Sequence, residues 1–188
     1  MILLCVLQQL NLRNDETDIK DYWETKMSDV SKINKIDLKI LSVLQTNARI
    51  TNQQLAEQVH LSASACLSRV KRLESEGVLK RYVTEIDLNR LAPHIEAFTE
   101  VTLENHSPDD FKHFDEAIAN VAEVTDCYKI SGTYDYLLKF VCIDVKSYTT
   151  VSEALITSGV GIAKMNTLII LERTKEFSGF PLDLLVKL

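Results

Sequence analysis

The chain has 188 residues, of which 46% are hydrophobic and 26% charged, and its formal net charge is -6. This composition excludes a disordered or fibrous protein, and the length favours two modest domains. No segment approaches the apolar run of about 20 residues that a membrane helix requires, so we expect a soluble protein with no membrane partner.

Residues 1–34 are predicted to be an N-terminal extension. They begin with MILLCVLQQLNL, which lacks the cationic start and the small-residue cleavage site of a secretory signal. Three interpretations stay open: a true start at Met27, an extension outside the folded core, or a short helix that packs on a partner subunit. The four cysteines are widely spaced, which argues against a disulfide framework and favours the reducing cytoplasm.

A three-helix unit is predicted next. Asn34 has the character of a helix cap, and apolar residues recur behind it at helical spacing as far as Leu44. Thr51 and Gln54 have the spacing of a capping box at the start of a second helix, and Ser62 can cap a third. The apolar stripe of the third helix is predicted to comprise Cys66, Leu67, Val70 and Leu73. Two short amphipathic helices joined by a tight polar turn are typical of a helix-turn-helix.

The opposite face of the third helix has small residues first and cations later. Small residues let a helix end enter the major groove, and the cations neutralise phosphates. Residues 35–84 carry a net charge of +4 within a chain at -6, whereas an ordinary hairpin with a solvated polar face needs no such excess. We predict contacts to double-stranded DNA from Thr51, Asn52, Gln53, Ser62, Ser64, Ala65, Ser68, Arg69, Lys71, Arg72, Lys80 and Arg81.

Residues after Gly77 have the composition of a strand or wing. VLKRYVTEIDL is apolar and β-branched, with Lys80 and Arg81 exposed between. The DNA-binding domain is therefore placed at residues 35–84. Turn chemistry in Asn89 and Pro93 places a linker at residues 85–95.

A second domain is predicted at residues 96–173, followed by a tail at 174–188. Its strands are placed at 97–104, 123–131, 135–143 and 162–172, and its helices at 108–121 and 146–157. The order βαββαβ is that of a ferredoxin-like fold, with four antiparallel strands and both helices on one face. Because the other face would be left apolar and exposed, we expect a homodimer formed through this domain.

These parts in this order resemble the Lrp/AsnC (feast/famine) family of prokaryotic transcription regulators. The resemblance rests on IDLKILSVLQTNARIT, LSASACLSRVKRLESEGVL and SGTYDYLLKF, and runs from about Ile36 to Arg173. It implies an α+β protein with an N-terminal winged helix-turn-helix and a C-terminal ligand-binding domain of the RAM/ACT-like type. It further implies a dimer, often assembled into octamers, that bends DNA and responds to an amino acid.

The resemblance also implies an effector site at the turn between the second and third strands. Its residues here are Gly132, Thr133, Tyr134, Asp135 and Tyr136. Backbone N–H groups near Gly132 could hold a carboxylate, and Asp135 could pair with an α-ammonium group. The alternative is that Gly132 only supplies a turn and Asp135 only caps it. Two departures from the family are the 26 or more extra residues at the N-terminus and the sequence Ser158-Gly159-Val160-Gly161 before the last strand. The tail after Arg173 is interpreted as lying outside the shared pattern and as able to reach a neighbouring subunit.

The predicted function is a sequence-specific transcription regulator, cytoplasmic and nucleoid-associated, with no catalytic activity, cofactor or metal. One alternative is an enzyme that resembles the siroheme decarboxylases of the same two-domain fold. Residues 96–172 contain five Lys, no Arg and thirteen Asp or Glu, which is a poor lining for a polyanionic tetrapyrrole. A second alternative is an architectural DNA-binding protein of low specificity. It differs from the predicted regulator only in the ratio of its affinities for specific and random DNA.

Overall fold

The structure, a computed structural model, describes residues 33–186. They form two compact units, one of residues 33–85 with 174–186 and one of residues 86–173. No helix within this described range is long and apolar enough to cross a membrane. The interpretations offered for residues 1–32 lie outside the described part of the chain.

The first unit contains the three predicted helices. They are α1 (Lys35–Leu44), α2 (Asn52–Gln58) and α3 (Ala63–Ser75). All three predicted caps are confirmed, because the side chains of Asn34, Thr51 and Ser62 each accept a hydrogen bond from a backbone N–H in the first turn of the following helix. The first two are complete capping boxes.

The core of this unit lies where the three helices meet. Its buried residues are Ile40, Leu44, Leu55, Ala56, Val59, Cys66 and Leu73. Burial raises the pKa of the Cys66 thiol, as expected for a cysteine that serves as a small apolar side chain. The apolar stripe of α3 was predicted too wide, since Leu67 is 42% exposed. Leu67 lies next to buried Cys66 in sequence but is turned away from the core by the helical geometry.

Gly77, with φ at +70°, follows α3 and ends it as predicted. A strand or wing was predicted immediately after it, and the strand is wrong, because residues 78–86 form none. A strand needs a hydrogen-bonded neighbour, and the four strands among residues 33–186 all belong to the other unit. The segment is instead tied back to α3, where Leu79 N donates to Leu73 O at 3.0 Å and Tyr82 Oη donates to Glu74 at 3.0 Å.

The C-terminal tail returns to the first unit. Gln45, at the end of α1, donates from Nε2 to Phe180 O at 3.2 Å and accepts from Phe180 N at 2.8 Å. Gly179 has φ at +105°, and a Cβ there would lie 2.8 Å from the Gln45 side chain, so glycine suits both the backbone and the close approach. A short helix α6, Leu182–Leu185, follows.

The second unit has the predicted βαββαβ order, preceded by one 3-10 turn at Leu88–Arg90. Its elements are β1 (Ile95–Leu103), α4 (Pro108–Ile118), β2 (Val124–Lys129), β3 (Tyr136–Cys142), α5 (Val145–Thr157) and β4 (Ile162–Ile169). The strands form one sheet in the order β2-β3-β1-β4, and every neighbouring pair is antiparallel. The α+β fold class with a ferredoxin-like second unit is confirmed.

Alternation along the central strands separates the two faces of this sheet. On one face alternate residues of β1 and β3 are buried, and α4 and α5 contribute Phe114, Ile118, Tyr148 and Leu155 to the same core. The opposite face carries both apolar and charged groups. Lys139 Nζ lies 2.6 Å from Glu96 Oε2, and Asn166 donates to Glu100 at 2.7 Å. The hydrogen bond from Lys139 lowers the pKa of Glu96.

Tyr136 combines a buried ring with a hydroxyl group that is hydrogen-bonded inside the second unit. Its ring is buried and lies 4.4 Å from that of Phe114, while its hydroxyl donates to Asp115 at 2.8 Å. Burial, and then the hydrogen bond to Asp115, raises the pKa of Tyr136. The neutral phenol is therefore the form that the folded protein contains near neutral pH.

We predict that Tyr136→Phe lowers the free energy of unfolding by about 1 kcal/mol, because a partly buried hydrogen bond is lost without a cavity. Urea denaturation followed by circular dichroism measures the change. Tyr128→Phe is the matched control, since Tyr128 is largely exposed and its hydroxyl lies 3.5 Å from Asp126. Equal losses for both variants would contradict a structural role for the Tyr136 hydroxyl.

Candidate DNA-binding face and effector turn

One face of α3 is exposed and polar. Ser64, Ser68 and Lys71 are exposed and follow each other at intervals of four and three residues, so they lie along one side of the helix. We refer to these three residues as the exposed stripe. Ala65 is also exposed beside it. This arrangement places hydroxyl groups near the start of the helix and a cation further along, which is the chemistry predicted for a helix that enters the major groove.

The predicted DNA-contact residues of α2 have internal partners. Thr51 caps the helix and donates to Gln54 Oε1 at 3.0 Å. Asn52 Nδ2 donates to Ala63 O at 2.8 Å and so joins α2 to the start of α3. Gln53 is exposed and its amide lies 3.4 Å from Glu57. Thr51 and Asn52 therefore hold the helix-turn-helix together, and a DNA contact from either would be additional to that role.

Arg69 and Arg72 extend toward α1 and meet a buried carboxylate. Arg69 Nη1 lies 2.9 Å from Asp37 Oδ1, and Arg72 Nη2 lies 2.7 Å from Asp37 Oδ2. The arginine side chains are 30% and 34% exposed, whereas that of Asp37 is fully buried. Burial by itself would raise the pKa of Asp37, but hydrogen bonds from Asn34 and both arginines outweigh it, so this pKa lies below its ordinary value.

Lys80 and Arg81 are exposed on the segment that follows α3. They border a cavity of about 890 Å³ within the first unit, which the end of α1 and the tail residues Phe177, Phe180 and Leu182 also line. The two cations are not in the exposed stripe itself. Their position on an extended segment suits contact with phosphate groups better than contact with base edges.

The predicted effector turn joins β2 to β3. Gly132 has φ at +146°, a conformation that favours glycine. Asp135 Oδ2 accepts from Leu103 N at 2.8 Å and lies 3.1 Å from His106 Nε2, and Asp135 N donates to Val101 O at 2.9 Å. The carboxylate of Asp135 is therefore fixed by the adjacent strand. Thr133 is exposed.

The two tyrosines of the turn are in different surroundings. Tyr134 is half-buried and Lys164 Nζ lies 5.7 Å from its ring centroid. The Tyr136 side chain belongs to the core, so only its backbone is near the turn. His106 and Lys164 were not predicted here. Sequence spacing gave no signal for them, since both are separated from the turn by more than 25 residues and reach it through sheet pairing.

Among residues 33–186, no group of three or more His, Cys, Asp or Glu side chains is arranged to hold a metal ion. The three cysteines in that range are all free thiols, with Cys66 and Cys142 buried and Cys127 exposed.

Two family models match the chain. The winged helix-turn-helix DNA-binding model matches residues 33–80, and the Lrp/AsnC ligand binding domain model matches residues 96–180. The second match corrects one prediction, because the shared pattern extends past Arg173 into the tail. The match includes residues 174–180, of which Phe177, Ser178 and Phe180 line the cavity of the first unit.

Named relatives are similar over most of their length. The transcriptional regulatory protein DoeX of Halomonas elongata is 33% identical over 144 residues, which cover 77% of this chain and 91% of the relative. The leucine-responsive regulatory protein of Escherichia coli strain K12 is also 33% identical over 144 residues, 77% of this chain and 88% of its own length.

Two solved structures of transcriptional regulators are also similar to this chain. An AsnC family transcriptional regulator from Agrobacterium tumefaciens aligns with a TM-score of 0.75 and 28% identity, over 82% of this chain and all of that one. A transcriptional regulator from Neisseria meningitidis in complex with L-Met aligns with a TM-score of 0.76 and 30% identity, over the same shares of both chains. On these matches to both of its units, the chain belongs to the Lrp/AsnC family of transcriptional regulators.

Proposed function

We propose that the protein is a sequence-specific DNA-binding transcription regulator whose DNA affinity or assembly changes when its second unit binds an amino acid or a related small molecule. The observation that carries the proposal is the exposed stripe of α3 in a chain that also contains the Lrp/AsnC ligand binding domain. A ligand shifts such an equilibrium only if it binds one form of the protein better than another.

The DNA contacts are divided between two kinds of residue in this proposal. The exposed stripe reads base edges in the major groove through its serine hydroxyls, while Lys71 contacts phosphate. Lys80 and Arg81 contact phosphate from the segment after α3. Positive charge supports this division, since residues 35–84 carry +4 within a chain at -6. Thr51, Asn52, Gln53, Ser62 and Ala65 are proposed to border the contact.

The effector is proposed to bind at the turn of residues 132–135. An L-Met complex of a related regulator supports an amino acid as the chemical class. Backbone N–H groups near Gly132 would receive the carboxylate, and Asp135, whose orientation is fixed by Leu103 N, would pair with the α-ammonium group. Tyr136 supports the turn from the core, where its side chain is buried.

A homodimer is the proposed unit of assembly, with octamers as in other members of the family. Support comes from the sheet face that α4 and α5 do not cover. Phe98, Leu137 and Val141 are only partly buried there, and Leu168 is 51% exposed. An apolar face of this kind is stable when another protein surface covers it. We place the protein in the cytoplasm, associated with the nucleoid.

Absence of catalytic activity is also part of the proposal. The siroheme decarboxylase alternative requires cations around a polyanionic tetrapyrrole, whereas residues 96–172 hold thirteen acidic residues and five lysines. The architectural alternative shares the DNA contact and differs in its preference among sequences.

Gel-shift titration against the promoter region of the protein's own gene tests the proposal, with excess random DNA as competitor and each of the twenty amino acids added in turn. We expect saturable binding that survives the competitor and shifts with one or a few amino acids. Binding that the competitor removes would favour the architectural alternative. No binding at moderate salt would reject the regulator and direct the next experiment to absorbance titrations with tetrapyrroles.

We predict that Ser68→Ala and Lys80→Ala separate base reading from phosphate contact. Ser68→Ala should weaken specific binding by about 0.5–1.5 kcal/mol, the contribution of one neutral hydrogen bond, and leave random DNA unchanged. Lys80→Ala should weaken both and lower the salt slope by about 1. Ser75→Ala, at the other end of α3, is the control. The roles are refuted if Ser68→Ala weakens binding to both DNAs equally.

We predict that Asp135→Ala destabilises the second unit by about 1–3 kcal/mol, because Leu103 N loses its acceptor. Asp135→Asn keeps an acceptor and should remain close to the original stability while losing the amino-acid response. Thermal unfolding and effector titration by gel shift measure the two properties. Asp126→Asn, on exposed β2, is the control. A normal response in Asp135→Asn would remove Asp135 from the effector site.

A further inference from the structure

Asp37 is the only buried acidic residue in the range 33–186, with 0% of its surface exposed. It is in the first turn of α1, where its Oδ2 accepts from Asn34 N at 3.1 Å and completes the capping box. A buried carboxylate is costly unless charges and hydrogen bonds compensate it. Arg69 and Arg72 supply the compensating positive charge. Both lie on α3, the helix that is predicted to enter the major groove.

The carboxylate of Asp37 pairs with two arginines at once, and we call this contact between Asp37, Arg69 and Arg72 the clamp. Arg69 Nη1 donates to Oδ1 at 2.9 Å and Arg72 Nη2 donates to Oδ2 at 2.7 Å, so each carboxylate oxygen has its own arginine. Arg72 Nη1 also lies 3.2 Å from Glu76. The hydrogen bond from Arg72 to Asp37 is the main cause that raises the pKa of Arg72. Both guanidinium groups are thereby directed to α1.

The clamp borders the surface assigned to DNA. A cleft of about 450 Å³ is lined by Arg69 and Arg72 together with Ala65, Ser68 and Asn34. Ser68 belongs to the exposed stripe. The two arginines are therefore close enough to the DNA-reading residues that, once released from Asp37, their long side chains could reach a phosphate group alongside them.

The two arginines can pair either with Asp37 or with a DNA phosphate, and electrostatics decides between these partners. Withdrawing one arginine leaves one oxygen of the buried carboxylate without its cation, and withdrawing both leaves the buried negative charge uncompensated, which is strongly unfavourable. A phosphate at the surface offers a solvated and salt-screened interaction instead. The comparison favours Asp37, so we expect the arginines to remain paired with it when the protein binds DNA.

We propose that Asp37 is a positioning residue that withholds Arg69 and Arg72 from DNA phosphates, which limits affinity for arbitrary sequences and leaves discrimination to the exposed stripe. The inference rests on the proposed DNA binding. It reassigns the two arginines, which the sequence alone had placed among the DNA contacts. Each phosphate contact that is withheld removes about 0.9 from the slope of log affinity against log salt.

Asp37→Asn tests the inference directly. Asparagine has nearly the same shape and keeps an acceptor for Asn34 N, but it no longer holds the arginines by charge. We expect tighter binding to random DNA, a salt slope steeper by about 0.9 for each arginine released, and a lower ratio of specific to random affinity. Loss of a purely structural residue would weaken binding and could not steepen the slope. Glu57→Gln adds the same charge elsewhere in the unit and should leave the slope unchanged.

The triple variant Asp37→Asn, Arg69→Gln, Arg72→Gln removes the carboxylate and both cations together. It has no uncompensated buried charge, so it decides the question even if Asp37→Asn fails to fold. We expect its salt slope to equal that of the unsubstituted protein. A slope shallower by about 0.9 or more would mean that the arginines contact phosphates in the native complex, and would overturn the inference.

Two further outcomes are informative. A folded Asp37→Asn variant with an unchanged salt slope also overturns the inference while leaving the proposed function intact. If the unsubstituted protein binds neither promoter nor random DNA, the proposed function and this inference are both rejected.

Discussion

The ion pair between Asp37 and the two arginines of α3 fixes the geometry on which the DNA-binding unit depends. It joins the first turn of α1 to the middle of α3. The hydrogen bond from Asn52 to Ala63 O joins α2 to the start of α3. Hydrophobic packing alone is non-directional, whereas these hydrogen bonds specify both the rotation and the position of α3. The proposed reading of base edges by short serine side chains would require that precision.

The two units differ in their electrostatic character. The first concentrates cations around a small helical core, and the second combines a two-layer α/β core with a strong excess of acidic residues. A DNA duplex is therefore attracted to one unit and repelled by the other. The positive charge that favours DNA is therefore confined to residues 35–84, although the chain as a whole is negative.

Local signals made much of this fold predictable. Asn34, Thr51 and Ser62 lie directly before their helices, and alternation along β1 and β3 appears within a few residues. The missed features depend on distant partners. Asp37 is 32 residues from Arg69, and Asp135 is 29 from His106. For residues 78–86, composition indicated a strand, but pairing requires a neighbour that sequence composition does not specify.

The C-terminal tail belongs to a different unit from the residues that directly precede it in the sequence. Among residues 33–186, the second unit begins at Ile86 and ends at Arg173, and the described chain on both sides of it belongs to the first unit. In topological language the regulatory domain is an insert within the DNA-binding unit, and the tail is a discontinuous part of that unit. A fragment that stops at residue 85 would lack Phe180, the partner of Gln45, and the tail residues that line one cavity together with Leu41 and Leu44. The compact unit that contains the winged helix-turn-helix is therefore not a continuous stretch of the described sequence.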